Sequence, residues 1–265
     1  MVRPILKKFF SKPHNMNAIP DGYRVYAIGD IHGCLDQLDD LLVKIDSDRE
    51  SAKAARKKDA HPFQTRLVFL GDYVDRGPHT PGVIDRLVEI QKSEQDAVFL
   101  MGNHERILLD FLEDPHDNYN WLNWGGEETL RGYGIERINS KEPPRLAEEL
   151  SQAIPPDHLT FLRELEIRHE FGDYVFVHAG LRPGIALDEQ TSEDQLWIRD
   201  DFFDAEKKDH HAQTVIHGHT VVKKVIDTGW RVCVDTGAVW TGVLTAVVLE
   251  GQDRKFIATK SNPKK

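Results

Sequence analysis

Apolar runs alternate with amphipathic stretches through the first third of the chain, and polar residues gather where each run ends. Arg24 to Ile28 reads as a buried strand closing at Gly29-Asp30. Leu35, Leu38, Leu41, Leu42 and Ile45 then recur at helical spacing, which predicts a helix beginning just after Gly33. Leu67 to Leu70 predicts a second strand, ending at Gly71-Asp72. Thr80 to Gln91 predicts a helix with Pro81 in its first turn and Val83, Ile84, Leu87 and Val88 on its inner face. Ala97 to Met101 is a third strand, ending at Gly102-Asn103, and Glu105 to Leu112 is the next helix. Asp46 to Gln64, rich in charge and lacking an apolar face, reads as an exposed loop with a helical extension.

The pattern changes near Asp114. From there to Leu165 short helical stretches surround Trp121, Trp124, Gly125 and Gly126, which predicts an inserted helical cap at about 114–165. Strands return at Tyr174 to Val177, Thr214 to Ile216, Arg231 to Val234 and Val243 to Leu249. Alternation first and strands later predicts an α/β protein in which two sheets pack face to face with helices outside. Residues 1–20, with Lys7, Lys8, Lys12, Pro13 and Pro20, read as a flexible tail before one domain over 21–260.

Composition narrows the function. The 265 residues are 40% apolar and 29% charged, ordinary for a globular protein, and no run approaches the ~18 apolar residues of a membrane span. A formal net charge of −10 without a basic stripe argues against nucleic acid as a partner. Bound cations can still reverse the field locally and attract phosphate. Cys34 and Cys233 are far apart and lack metal-ligand spacing, so reduced thiols and a cytoplasmic location are expected, with no membrane partner.

Five segments just past the predicted strands carry the candidate chemistry. They are Gly29-Asp30-Ile31-His32-Gly33, Gly71-Asp72-Tyr73-Val74-Asp75-Arg76-Gly77, Gly102-Asn103-His104-Glu105, Val177-His178-Ala179-Gly180 and His217-Gly218-His219-Thr220. A single Asp after a strand is ordinarily a turn residue or a helix cap. The ordered set is different: imidazoles, carboxylates and an amide oxygen suit Mn, Fe, Zn or Ni better than Ca. Asp30 and His32 can turn toward one ion, Asp72 can bridge two, and Asn103 with two later histidines can complete the second. Two such ions ~4 Å apart polarise a phosphoryl oxygen and generate hydroxide near neutral pH.

These segments resemble the phosphoprotein phosphatase (PPP) family of serine/threonine phosphatases, in its bacterial branch, within the calcineurin-like metallophosphoesterase superfamily. The resemblance runs from about Tyr23 to Leu249 and implies an α/β fold of four-layer type: a central β-sandwich of two mixed sheets flanked by helices. It implies Asp30, His32 and Asp72 around a first metal, and Asp72, Asn103, His178 and His219 around a second, Mn being expected. It further implies His104 as general acid, Asp75 as its orienting carboxylate, and Arg76 and Arg199 as phosphate-binding groups. The substrate so implied is a phosphoprotein or phosphopeptide, hydrolysed in line by metal-bound hydroxide without a phosphoenzyme. His217 is expected behind the ligands rather than among them.

Three other readings remain open. Dinucleoside polyphosphate hydrolases resemble the chain around Asp72, but typically lack the Asp75 equivalent and carry Asp where Glu105 stands. Phosphodiesterases of the superfamily usually have a further His at the position of Val221. A regulator that binds phosphorylated partners without turnover would not need His104 and Asp75. Separately from the resemblance, Trp121, Trp124 and Trp240 either form an apolar wall beside the metals, with Trp240 touching substrate, or pack the cap.

Overall fold

The computed structural model describes residues 18–56, 62–94, 96–206, 209 and 211–260. In chain order the first elements are β1 (Tyr23–Ile28), α1 (Leu35–Ala54), β2 (Gln64–Phe69), α2 (Thr80–Ser93), β3 (Ala97–Phe99) and α3 (Asn103–Glu113). A 3-10 turn (Tyr119–Trp124), α4 (Gly126–Gly132), α5 (Pro143–Ala153) and α6 (Pro156–Arg163) form the middle. Then come β4 (Arg168–Phe171), β5 (Tyr174–Val177), α7 (Ser192–Trp197), α8 (Asp200–Phe203), β6 (Thr214–His217), β7 (Ile226–Asp227), β8 (Arg231–Cys233), α9 (Ala238–Thr241), β9 (Thr245–Glu250) and β10 (Asp253–Ala258).

The strands form two five-stranded mixed sheets, ordered β10-β9-β1-β2-β3 and β4-β5-β6-β8-β7. β1, β2 and β3 run parallel, as do β5, β6 and β8, so the loops that leave them emerge at matching ends. Strand alternation explains the layers. Val25 and Ala27 of β1 pack with Val68, Tyr174, Phe176, Ile216 and Val232 in a core between the sheets. Tyr26 and Ile28 face the other way, into a larger core with Leu38, Leu41, Ile84, Leu87 and Leu108. The expected α/β sandwich with helices outside is what the chain forms.

The middle segment is continuous with that larger core, to which Trp121, Leu130, Leu146, Leu150 and Phe161 belong. A third, smaller cluster on the outer face of the second sheet joins Val175, Val177, Ala179 and Val215 to Ile198 and Phe202.

Several boundaries differ from the sequence reading. The helical extension expected after Asp46 is the second half of α1 and runs as far as Ala54, so the exposed stretch is shorter than the 46–64 reading. Its polar residues find partners elsewhere: Arg49 pairs with Glu94 at 2.9 Å, and Asp48 accepts from Arg24 and Tyr26 at 2.7 and 2.8 Å. The expected tail lies mostly outside the described residues, but its last part is docked. Ile19 is buried and its N–H donates to the Gly251 carbonyl at 2.8 Å. β4, β7 and β10 were not expected; the first and last are polar strands that gain their identity from pairing with β5 and β9. Among the described residues no helix is long and apolar enough to cross a membrane.

Candidate metal centre

The five loops converge at one edge of the sandwich, and their backbone is forced to do so. Among the described residues, five non-glycine positions have positive φ: His32 (45°), Asp72 (53°), Asp75 (70°), Arg76 (67°) and His219 (62°). All five lie in these segments, in a region of backbone space that ordinary residues avoid unless their surroundings hold them there. Gly102 and Gly218 admit the close approach: a Cβ on either would collide with the carboxylate of Asp72 or of Asp30, respectively.

Glu105 is what holds the second loop. Its side chain is buried and accepts four backbone N–H bonds: from Asp72 (2.8 Å), Tyr73 (2.7 Å), Val74 (3.1 Å) and Gly102 (2.9 Å). It stands at the third position of α3, where a Glu folds back on the helix start. Burial and the nearby Asp72 charge push its carboxyl up to about 7, against the pull of those N–H groups. Sequence reasoning gave Glu105 no structural role, although its position in the helix's first turn was the available signal.

Two groups of side chains then meet at Asp72: His32, Asp72 and His104 form one, and Asp72, His178 and His219 the other. His32 Nε2 lies 3.4 Å from Asp72 Oδ2, and His178 Nε2 3.4 Å from Asp72 Oδ1. His32 Nδ1 faces the Val74 carbonyl and His178 Nδ1 the Leu70 carbonyl, both at 2.8 Å. Each Nδ1 therefore carries the proton and donates, leaving the Nε2 lone pair turned inward. His178 Nε2 also lies 2.9 Å from Asn103 Oδ1, so two lone pairs oppose each other. His219 Nε2 is buried without a protein partner. Burial lowers His32 to about 3 and His219 to about 2, and lowers His178, so the imidazoles stay neutral.

Asp30 sits at the rim of this arrangement rather than within either group. Its Oδ2 accepts the His219 N–H at 3.0 Å. It lies beside Asp235, a buried residue absent from the sequence reading, whose Oδ1 accepts from Gly237 N at 2.9 Å. Burial, with Asp235 and Asp72 near, raises the Asp30 carboxyl well above its usual range, and burial pushes Asp235 to about 6. Three buried carboxyls with inward-facing imidazole lone pairs form a donor set that divalent cations neutralise and satisfy together. The residues present thus fit the metals that the motifs imply.

His104 differs from its neighbours. Its Nδ1 lies 2.7 Å from Asp75 Oδ2, and its Nε2 4.0 Å from Asp72 Oδ2. Burial opposes protonation, but Asp72 and Asp75 outweigh it and raise the imidazole above its usual value. Asp75 is wholly buried and held by the Trp121 indole N–H (2.8 Å) and the Thr129 hydroxyl (2.7 Å). Trp121 is therefore no part of an apolar wall: it is fully buried, with its one polar atom engaged by Asp75.

The other expected residues line the mouth. Arg76 Nη1 lies 2.6 Å from His32 Nε2, and its guanidinium is 5.1 Å from the Trp240 ring centre. Arg199 is exposed, reaches Thr220 Oγ1 at 3.4 Å, and places its charge near His178 and His219. Trp240 and Trp124 are 50% and 42% exposed. Trp124 packs against Trp197, and Trp197 against His219. His217 lies outside both ligand groups, with its ring against Phe202 and Phe203.

Residues 23–235 match the profile of the calcineurin-like phosphoesterases, and the chain belongs to that metallophosphoesterase family. More particularly, it is similar to proteins named bis(5'-nucleosyl)-tetraphosphatase PrpE (asymmetrical) from Bacillus cereus and Bacillus mycoides. Each is 27% identical over 235 residues, spanning 83% of this chain and 88% of the relative. Among solved structures, one provisionally named a diadenosine tetraphosphatase superposes with a TM-score of 0.59 at 23% identity, covering 92% of this chain and all of that one. A protein serine/threonine phosphatase from Saccharomyces cerevisiae gives 0.51 at 15% identity, covering 92% of this chain and 82% of that one. At these identities the solved structures establish the fold alone.

Replacing Glu105 by Gln would turn an amide N–H₂ toward backbone N–H groups that now share a carboxylate. The expected loss is about 2 kcal/mol or more of folding stability, the scale of buried hydrogen bonds to a charged acceptor. Urea denaturation of the two proteins measures it. An unchanged midpoint would mean that the loop at Asp72 does not depend on this carboxylate.

Proposed function

We propose that the protein is a two-metal phosphomonoesterase acting on phosphoserine and phosphothreonine in proteins. The observation that supports this most is the Asp75–His104 pair, buried beside the metal groups with a 2.7 Å bond between carboxylate and imidazole. A serine or threonine alkoxide is a poor leaving group, so a poised, protonated imidazole aimed at it has a purpose. Asp30, His32 and Asp72 would hold one cation, and Asp72, Asn103, His178 and His219 the other, Mn being the ion we favour. Bound there, divalent cations polarise phosphoryl oxygens and lower the pKa of water.

The protein's own groups do the rest. Asp75 accepts from His104 Nδ1–H, which keeps that ring oriented and favours its charged form. A water that has released one proton to solvent attacks phosphorus in line as hydroxide, with no phosphoenzyme, while the proton on His104 Nε2 passes to the departing oxygen. Arg76 and Arg199 fork onto phosphoryl oxygens and stabilise charge as it develops. Trp240, packed against the Arg76 guanidinium, contacts the group that carries the phosphate. The buried free cysteines, Cys34 and Cys233, suit a reducing cytoplasm.

A second reading, hydrolysis of diadenosine tetraphosphate, is favoured by the names of the Bacillus relatives and would use the same metals and arginines. One manganese-loaded preparation assayed on a phosphothreonine peptide and on diadenosine tetraphosphate separates them. We expect kcat/KM to favour the peptide by orders of magnitude and EDTA to abolish both activities. Preference for the nucleotide would move the function to nucleotide hydrolysis, and activity surviving EDTA would remove the metals from the mechanism.

His104→Asn should slow turnover of alkyl phosphates by about 10²–10⁴-fold, the usual worth of a general acid. An aryl phosphate, whose leaving group needs less protonation, should lose much less; equal losses on both would argue against His104 as the acid. Trp240→Ala should raise KM for the phosphopeptide several-fold while sparing a small aryl phosphate. No change on either substrate would exclude Trp240 from recognition.

A further inference from the structure

Helix α8 is only four residues long, yet it touches three parts of the centre at once. Its Phe202 is fully buried, and the ring lies so close to Gly180 that a Cβ there would stand 2.5 Å from Phe202 Cδ1. Gly180 is two residues beyond His178. The same ring meets His217 edge-on, with centres 5.1 Å apart, and His217 is two residues before His219. At the other end of the helix, the Arg199 carbonyl accepts the N–H groups of Phe202 and Phe203, both at 2.9 Å. Arg199 itself has φ −129° and ψ −98°, so its backbone direction is set by the helix that hangs from it.

Arg231 holds this helix from below. It is 6% exposed, one of the few arginines so deeply buried among the described residues. Its guanidinium sits over the rings of Phe203 (4.2 Å), Trp230 (5.1 Å) and Phe202 (5.9 Å), and Nη2 donates to the Phe203 carbonyl at 3.4 Å. A cation against aromatic faces and a helix's last carbonyl is a favourable pairing. Nε and Nη1 are buried without hydrogen-bond partners, and the Asp204 carboxylate just past the helix adds a favourable charge. β8 carries Arg231 beside Val215 of β6, on the sheet face that also bears His217.

We infer that Arg231 and Phe202 are positioning residues: through α8 they set the Arg199 guanidinium and the two loops that carry His178 and His219. This rests on the proposed roles of Arg199, His178 and His219. Among the described residues no contact joins His32 or His104 to α8, so the effect should fall mainly on the cation of His178 and His219 and on phosphate, reaching the other cation only through Asp30, which accepts the His219 N–H.

The test uses the full chain with Arg231→Met, Arg231→Lys and Phe202→Leu, and with Leu187→Ala as a control. Leu187 packs on the same outer cluster but belongs to a different segment. Melting temperature, manganese binding to the metal-free protein by equilibrium dialysis, and inorganic phosphate binding by calorimetry are measured for each. Arg231→Met and Phe202→Leu are expected to weaken one of two manganese sites by about tenfold, the low end for residues that orient metal ligands. Phosphate affinity should fall with it. Arg231→Lys should recover most of both, and Leu187→Ala should lower the melting temperature while leaving both constants unchanged.

Equal thermal losses in Arg231→Met and Leu187→Ala, with manganese and phosphate affinities unmoved in both, would overturn the inference. Where Arg231→Met does not fold, Phe202→Leu and Arg231→Lys decide it by the same constants. Wild-type protein that binds no manganese overturns the two-metal reading itself, an outcome distinct from a variant effect.

Discussion

The centre depends on one buried carboxylate that takes no part in the chemistry. Glu105 gathers the N–H groups of Asp72, Tyr73, Val74 and Gly102, and so ties the loop after β2 to the start of α3. Without that acceptor, three successive buried N–H groups would lack a partner, a cost of roughly 1–3 kcal/mol each. With it, Asp72 keeps a left-handed backbone and presents its carboxylate to both histidine groups. Asp75 and Arg76, a few residues on, inherit their direction from the same turn. His104, Asp72 and Arg76 are therefore arranged by a single local constraint.

Around that constraint the protein concentrates charge it cannot neutralise alone. Asp30, Asp72 and Asp235 are buried together, and the imidazoles beside them are held neutral by desolvation with their lone pairs inward. His104 is the exception because Asp75 stands behind it. The contrast lies within a few ångströms: histidines whose Nδ1 meets a carbonyl turn a lone pair inward, and the one whose Nδ1 meets a carboxylate has its charged form favoured. Trp121 and Thr129 from the middle segment hold Asp75, so that segment reaches the Asp75–His104 pair.

The remaining surface concerns what accompanies the phosphate. Trp124 and Trp240 are exposed indoles, and neither a peptide nor a nucleobase is foreign to such a surface. The relatives' names and the acid–carboxylate pair point in different directions, and the chemistry of the leaving group distinguishes them.

Much of this was legible in the amino-acid order because it is local. Each candidate ligand lies within four residues of the end of an apolar run, so β1, β2, β3, β5 and β6 and the loops that leave them could be read directly, as could the inner faces of α1 and α2. What tertiary structure decided was everything that needs a distant partner. The charged half of α1 is helical because Arg24, Tyr26 and Glu94 meet it; β4 and β10 are strands because β5 and β9 pair with them; Trp121 is buried because Asp75 needs its N–H. The same holds for Glu105, Asp235 and Arg231, whose surroundings come from segments far apart in the chain. Sequence spacing singled out the candidate donors, whereas only the packing of two sheets and a four-residue helix determined which groups hold them in place, since hydrogen-bond partners and burial are properties of the folded chain.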